Sequence, residues 1–373
     1  MSESLSTAPT GVSAKPKSRW GLYGPFLALA GVLLLWSIYW FVVAWQIEAK
    51  LAEAKAGLQR AGYHATWKLE GMQGYPFRMY VRARDVKIIA PTGVGLKAAL
   101  LGAEANAYAL DHWIMAAPEG LTLIRGKGGA VAVRGKALRA SASGLFRPVQ
   151  TLAIEFLQPV FTPAPGAAPF SLAKAEVVDA YLRPTKGAQT DGDVLLRVQG
   201  AVASEGTTLN AFSRGQPVNL TLEGTVQGVT RLNGATWSEA LQAWIRDGGR
   251  VTKVLGTFKT GTVAVYAKSE RLGVTPEGRL DGVVPLEVEG ADQLLDGFVR
   301  AGLVAPDRAQ AAKAMILMGQ GQVKIQSVED VVALVQGKAG PTPPIKPIKA
   351  TVNFRNNATE IGDIRLADAP RIG

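Results

Sequence analysis

Between Gly21 and Trp45 the chain carries no charged residue, in the stretch GLYGPFLALAGVLLLWSIYWFVVAW. As a helix rising about 1.5 Å per residue it would be about 37 Å long, enough to cross a bilayer with some tilt. Trp20 and Tyr23 stand near one end and Tyr39, Trp40 and Trp45 near the other, and such rings favour the two headgroup levels. A cleaved signal peptide has a shorter apolar region, about 7–15 residues, followed by a small-residue cleavage site. Neither fits, so the pattern predicts an uncleaved transmembrane anchor over 20–45, and no later segment is apolar enough to cross.

The pattern then changes to helical spacing. In QIEAKLAEAKAGLQRAGY, Ile47, Leu51, Ala54 and Leu58 form one stripe, with Glu48, Lys50, Glu53 and Lys55 on the other faces and Gly62 as a stop. This predicts a juxtamembrane helix over 46–62, serving as a stalk or lying against the domain that follows.

From residue 63 onward period-two alternation dominates. Leu152, Ile154 and Phe156 share one side of a strand, as do Val194, Leu196, Val198 and Val202; Leu220, Leu222 and Val226; and Val263, Val265 and Ala267. Val284, Leu286 and Val288, then Ile348, Ala350, Val352 and Phe354, repeat the pattern. Alternation punctuated by turn residues means antiparallel sheet with one face buried and one wet. The glycine-rich GKGGAVAVRGK (126–136) reads as a hairpin. Two interruptions are helical. Thr236 and Glu239 form a capping box ahead of Trp237, Leu241, Trp244 and Ile245, with Gly248 as the stop. ADQLLDGFVRAGLVAPDRAQAAKAMILMG reads as two helices broken at Pro306, with Leu294, Leu295, Phe298, Met315 and Leu317 inward; 338–347 is a proline-rich connector. The fold class is therefore mainly β (α+β): an N-terminal transmembrane helix followed by a large, curved antiparallel sheet over 63–373 with a few packed helices.

Composition supports a loop-rich β protein: 42 glycines and 21 prolines in 373 residues, 47% apolar and 19% charged. Residues 1–19, rich in Ser, Thr, Pro and Lys, read as a disordered cytoplasmic tail. Lys15, Lys17 and Arg19 precede the span and Lys50, Lys55 and Arg60 follow it, a tie in cation count. Arg19 abuts the span, whereas Lys50 lies beyond Trp45, which favours a cytoplasmic N-terminus and an external C-terminal domain. Net charge is +11, which suits an anionic partner or serves solubility alone. There is no cysteine, so disulfide, cysteine–zinc and thiol chemistry are excluded.

No catalytic constellation is legible. His64 and His112 are the only histidines, and the metalloprotease, serine-hydrolase and phosphate-loop motifs are missing. Asp111 and His112 are neighbours on a strand and point to opposite faces. Arg125, Lys127, Arg134, Lys136, Arg139 and Arg147 make a basic run without interleaved aromatics, a poor nucleic-acid surface. The expectation is a non-enzyme with no cofactor, no metal and no nucleic-acid partner.

GYPFRMYVRARDVKI resembles an opening strand of AsmA-like envelope proteins, in which G-[YFW]-P-[FL]-R precedes an alternating strand. AYALDHWIMAAPEGLTL, PFSLAKAEVVDAYLRP, TWSEALQAWIRDGGRV, LGVTPEGRLDGVVPLEVEG and VQGKAGPTPPI follow in the order found in the alphaproteobacterial domain-of-unknown-function family 2125. The chain departs from the commonest pattern in a degenerate glycine-rich strand after Val323. The resemblance spans roughly 20–373 and implies a membrane-anchored, mainly β envelope protein, with no catalytic residues to carry over. The expectation is a single-pass inner-membrane protein with a periplasmic C-terminal domain, whose apolar sheet face holds or guides lipid or glycolipid. Arg78, Arg82 and Arg84 would face anionic headgroups, because a guanidinium donates two bonds to phosphate at once. The same residues also fit the solvated side of an amphipathic strand. The alternatives are a membrane-tethered scaffold that binds other envelope proteins through strand edges or helices, and a hydrolase with a diffuse site.

Overall fold

A computed structural model describes residues 20–234, 236–310, 313, 346–361 and 364–371. The degenerate strand after Val323, most of the proline-rich connector, Met315, Leu317 and the 1–19 tail lie outside the described residues.

The apolar stretch and the amphipathic stretch form one helix, α1 (Trp20–Arg60), without a break at Trp45. A window within Tyr23–Arg60 has mean hydropathy 2.3 and is only 6% buried, so most of its apolar side chains are left uncovered by the rest of the protein. That changes at Trp36. Trp40 and Ala44 are buried with Met79 and Ala107. Trp36 Nε1 donates to the Pro76 carbonyl at 2.9 Å, Tyr39 Oη to Ala107 at 2.9 Å and Trp40 Nε1 to Arg78 at 3.0 Å. Two of the rings that pattern alone places at a headgroup belt, Tyr39 and Trp40, thus bond to the β domain, as does Trp36.

Gly62, in the left-handed region (φ +81), ends the helix and turns the chain back along it as β1 (His64–Gln73). The strands that follow are β2 (Arg78–Ile89), β3 (Val94–Asn106), β4 (Ala109–Ala116), β5 (Leu121–Arg125), β6 (Ala130–Arg134), β7 (Ala137–Ser143), β8 (Thr151–Leu157), β9 (Val160–Pro163) and β10 (Leu172–Lys174). Then come β11 (Val177–Pro184), β12 (Gly192–Ala203), β13 (Val218–Gln227), β14 (Arg250–Thr260), β15 (Val263–Val274), β16 (Leu280–Glu289), β17 (Ile348–Arg355), β18 (Ala358–Ile361) and β19 (Ile364–Asp368). All belong to one sheet of 19 strands.

Four successive ribbons of this sheet are broken in the middle. Both β4 and β5 pair with β3, β4 and β5 pair in turn with β7 and β6, those with β8 and β9, and those with β11 and β10, which both pair with β12. The architecture is one antiparallel up-and-down meander with a crease across its first half. Gly135–Lys136, Gln158–Pro159 and Ala175–Glu176 mark the crease, and backbone bonds Lys136 N to Leu157 O, Gln158 N to Glu176 O and Glu176 N to Gln199 O stitch it. It ends at Gly200 (φ +57) in β12, where the register shifts between Val198 and Ala201. Each extra residue is a bulge that bends its strand. The bend brings Val131, Val133 and Phe161 against Leu138, Phe156 and Val178 as one core cluster.

Three helices close the rest of the domain. α2 (Thr208–Ser213) sets Leu209 on Val198, Ala201 and Val218. α4 (Ala291–Arg300) packs on it through an edge-to-face Phe212–Phe298 pair at 5.0 Å. α3 (Trp237–Arg246) buries Ala240, Leu241 and Trp244, and its Thr236 cap accepts from Glu239 N at 3.2 Å. Trp237, expected on the apolar face, is 58% exposed, because it begins the helix rather than lying one turn in. Pro306 opens a second helical turn, as expected.

Candidate functional site

Pairing register turns the alternation of single strands into continuous rows. One row begins beside α1 and runs Met72, Val81, Ala103, Met115, Ala140, Ile154 across β1, β2, β3, β4, β7 and β8. It continues through Ala180, Leu196, Leu222, Gly256, Ala267 and Leu286 to Ala350 on β17. Every member is apolar. With neighbouring strands about 4.8 Å apart, the twelve steps cover roughly 58 Å of sheet. A second row, Leu138, Phe156, Val178, Val198, Leu220, Phe258, Val265, Val288 and Ile348, runs beside it.

These two rows differ in cover. The second lies under the creased strands and under α2, so Leu138 and Val198 are buried. The first is covered only at its start, where α1 sits over Met72 and Met79. Beyond that, Met115, Ile154, Leu196 and Leu222 are 37–45% exposed. Leu152 beside Ile154 is 41% exposed, and contiguous apolar surface of this kind marks a binding surface more often than chance exposure.

The opposite face is predominantly polar. Its central row runs Arg82, Gly102, Ala116, Arg139, Glu155, Asp179, Arg197, then Thr221, Thr257, Tyr266, Glu287 and Lys349. Arg139 Nε reaches Glu155 at 2.6 Å. The Arg197 guanidinium bonds Asp179 through both Nε and Nη2. Asp179 is 1% exposed, and its Oδ1 has no hydrogen-bond partner among the described residues. Hydrogen bonds to these carboxylates raise Arg139 and Arg197 above the ordinary guanidinium range.

Arg78, Arg82 and Arg84 fall on this polar face of β2, away from the apolar rows. Arg78 pairs with Glu104 at 3.4 Å, Arg82 approaches Glu70 at 4.0 Å and the Tyr80 hydroxyl at 3.2 Å, and Arg84 bonds Glu70. The bond from Glu70, then its charge, raises Arg84 above its ordinary value. The structure thus brings the three arginines together at the corner nearest α1, each with a carboxylate partner.

The polar face also holds a depression of about 770 Å³ lined by Tyr181, Arg183, Asp193, Arg197, Glu223 and Lys253, among others. Its Asp193 accepts from the Thr185 and Thr225 hydroxyls at 2.8 and 2.9 Å and faces Arg183 at 3.6 Å, an arrangement of satisfied partners rather than an activated base. Asp111 accepts from Gly144 N at 3.2 Å. Among the described residues no group of three or more His, Asp or Glu is placed to hold a metal.

Sequence reasoning found Ile154, Leu196, Leu222, Ala267, Leu286 and Ala350 as members of separate strands, and missed Met72, Val81, Ala103, Met115, Ala140, Ala180 and Gly256. In β1 and β3 the alternation is interrupted where the register shifts, and small residues such as Ala103 give it little contrast. No curated protein and no solved structure matches the chain. The sequence model of a family described as an uncharacterized protein conserved in bacteria, domain of unknown function 2125, matches residues 40–370. That match takes in α1 from Trp40 onward together with the crease and the meander, so the chain belongs to this bacterial family.

Proposed function

We propose that this protein is a single-pass anchor of the bacterial inner membrane whose periplasmic sheet binds lipid or glycolipid acyl chains along its open apolar row, without catalysing a reaction. One observation carries the reading: an unbroken apolar row that starts beside an apolar helix, crosses thirteen strands and stays partly uncovered from Met115 to Leu222. Acyl chains need continuous apolar contact and no specific polar partner, and this row offers that. Removing such surface from water is worth about 25 cal/mol per Å². Arg78, Arg82 and Arg84 lie on the other face at the anchored corner and would meet anionic headgroups at its rim, in competition with Glu70 and Glu104.

The reading of a scaffold that recruits partner proteins by strand addition has one border less to work with. Along β1, the Gln59 amide donates to Ala65 O at 2.9 Å, Lys55 Nζ to Trp67 O at 3.3 Å, and Glu48 accepts from Met72 N at 2.8 Å. Helix side chains thus occupy a strand border that would otherwise invite a partner strand.

The test is mass spectrometry of lipid retained by the full chain after detergent exchange. Phospholipid or glycolipid should accompany the unaltered chain and be lost from Leu196→Glu/Leu222→Glu, which keeps the fold because both side chains are already over one-third exposed. A lipid-free chain that crosslinks to a fixed protein partner would replace this reading with the scaffold.

A further inference from the structure

The free part of α1 is too short to cross a bilayer alone. From Trp20 to Leu35, before the first residue bonded to the β domain, 16 helical residues span about 24 Å. The hydrocarbon core is about 30 Å thick, and Arg19 immediately before Trp20 is charged. Completing the crossing takes about one more turn, and that turn is Trp36 to Tyr39, which is bonded to Pro76 and Ala107. Any tilt of the helix deepens the shortfall. The sheet therefore enters the membrane boundary together with the helix.

The chemistry of the sheet at that depth matches. The turn between β1 and β2 and the turn between β3 and β4 meet there, joined by Ala107 N to Phe77 O at 2.8 Å. Their aromatic residues Tyr75, Phe77 and Tyr108 are 50%, 65% and 70% exposed, an arrangement that is costly against water. Tyr75 stacks on Phe41 at 5.8 Å and bonds Ser37 at 2.7 Å, which fixes the turn rigidly to the helix. Arg78 follows directly, with its side chain 65% exposed, where a headgroup phosphate would lie.

We infer that the two turns carrying Tyr75, Phe77 and Tyr108 are seated in the headgroup–acyl boundary of the leaflet on the β-domain side. The sheet is then a second membrane contact beside the helix, and its apolar row begins next to that leaflet, under α1. The occupant of the aromatic surface is the bilayer that α1 spans, because the surface is fixed to that helix. Tyrosine and phenylalanine rings favour this depth. The inference rests on the anchor reading and is independent of whether the row carries lipid.

Because the chain has no cysteine, single-cysteine labels test it directly. The full chain is placed in nanodiscs of phosphatidylcholine and phosphatidylglycerol, with an environment-sensitive fluorophore at Leu27→Cys, Phe77→Cys, Tyr108→Cys or Thr92→Cys. Quenching is measured with lipids spin-labelled shallow or deep in the acyl chain. Leu27 should be quenched by the deep label. Phe77 and Tyr108 should both be quenched by the shallow label several-fold more than Thr92, which lies in the turn at the far end of β2. If Leu27 is quenched and either Phe77 or Tyr108 behaves like Thr92, the seating is wrong while the anchor stands. If Leu27 is unquenched, both fall.

Discussion

Asp179 is the residue whose position is hardest to reconcile with a solvated sheet face. Its carboxylate is almost wholly buried and is held by one guanidinium, Arg197, that is itself partly exposed. A buried charge is tolerable only while its partner remains. Arg197→Met should therefore destabilise the protein by about 2–3 kcal/mol, less than for a fully buried pair because water reaches the arginine side. The Asp179→Leu/Arg197→Met double variant should recover most of that loss, as read from chemical unfolding of the full chain in micelles. A double variant no better than the single would show that the pair contributes more than mutual neutralisation. The arginines of β2 pose a related question of competition. Replacing Glu70 and Glu104 with Gln frees three guanidinium groups and should raise the share of anionic lipid retained, whereas Gln at Arg78, Arg82 and Arg84 should lower it. An unchanged share in both would leave these residues as a solvated face. Sequence alone locates the cations but not their partners, since Glu70 and Glu104 reach them only through the pairing of β1, β2 and β3.

At the scale of elements, many of the strands, the turn chemistry of 126–129 and the capped helix α3 were legible because each is written in local spacing, although the hairpin read at 126–136 is in fact β5 with β6, turning at 126–129. The crease was not. It arises from single extra residues in neighbouring ribbons whose alignment depends on register, which one sequence does not encode locally. The consequence is visible in β12. Val194, Leu196 and Val198 share a face as the alternation implies, but after the bulge at Gly200 it is Ala201 and Ala203 that are buried, and Val202 turns away. In the unbroken α1 the change from apolar to amphipathic composition at Trp45 marks a change of surroundings, not of backbone. Gly200 is the point where the crease can be tested. Its φ of +57 disfavours any side chain, and a Cβ there would lie 2.5 Å from the Glu176 Cδ. Gly200→Ala should cost about 1–2 kcal/mol, the left-handed penalty with some relief from movement of Glu176. Gly206→Ala, in a turn that is equally left-handed (φ +73) but with nothing within 4 Å of the added atom, should carry the backbone penalty without the Glu176 contact and so cost less, and equal losses would mean that the crease contributes no strain of its own.

For the molecule as a whole, the decisive property is that the apolar row is longer than one acyl chain spanning a leaflet. A leaflet is about half of the roughly 30 Å hydrocarbon core, whereas the row from Met115 to Leu286 covers eight strand spacings, roughly 38 Å. On the proposed lipid-binding reading, a row of that length either holds several chains side by side or passes them along, and the two differ in how a block is felt. Photo-crosslinking side chains at Met115 and at Leu286 would report occupancy on either side of Leu222. If chains enter from the anchored corner and move outward, Leu222→Glu should leave capture at Met115 intact and abolish it at Leu286, because a carboxylate in the row cannot be crossed without desolvation. If the row is a set of independent sites filled from solution, capture at Leu286 survives the block. Loss at both positions would point to cooperative binding across the sheet. The meander makes the first outcome the expected one: its strands are added one after another from the helix outward, so the only part of the row fixed beside the membrane anchor is its beginning at Met72.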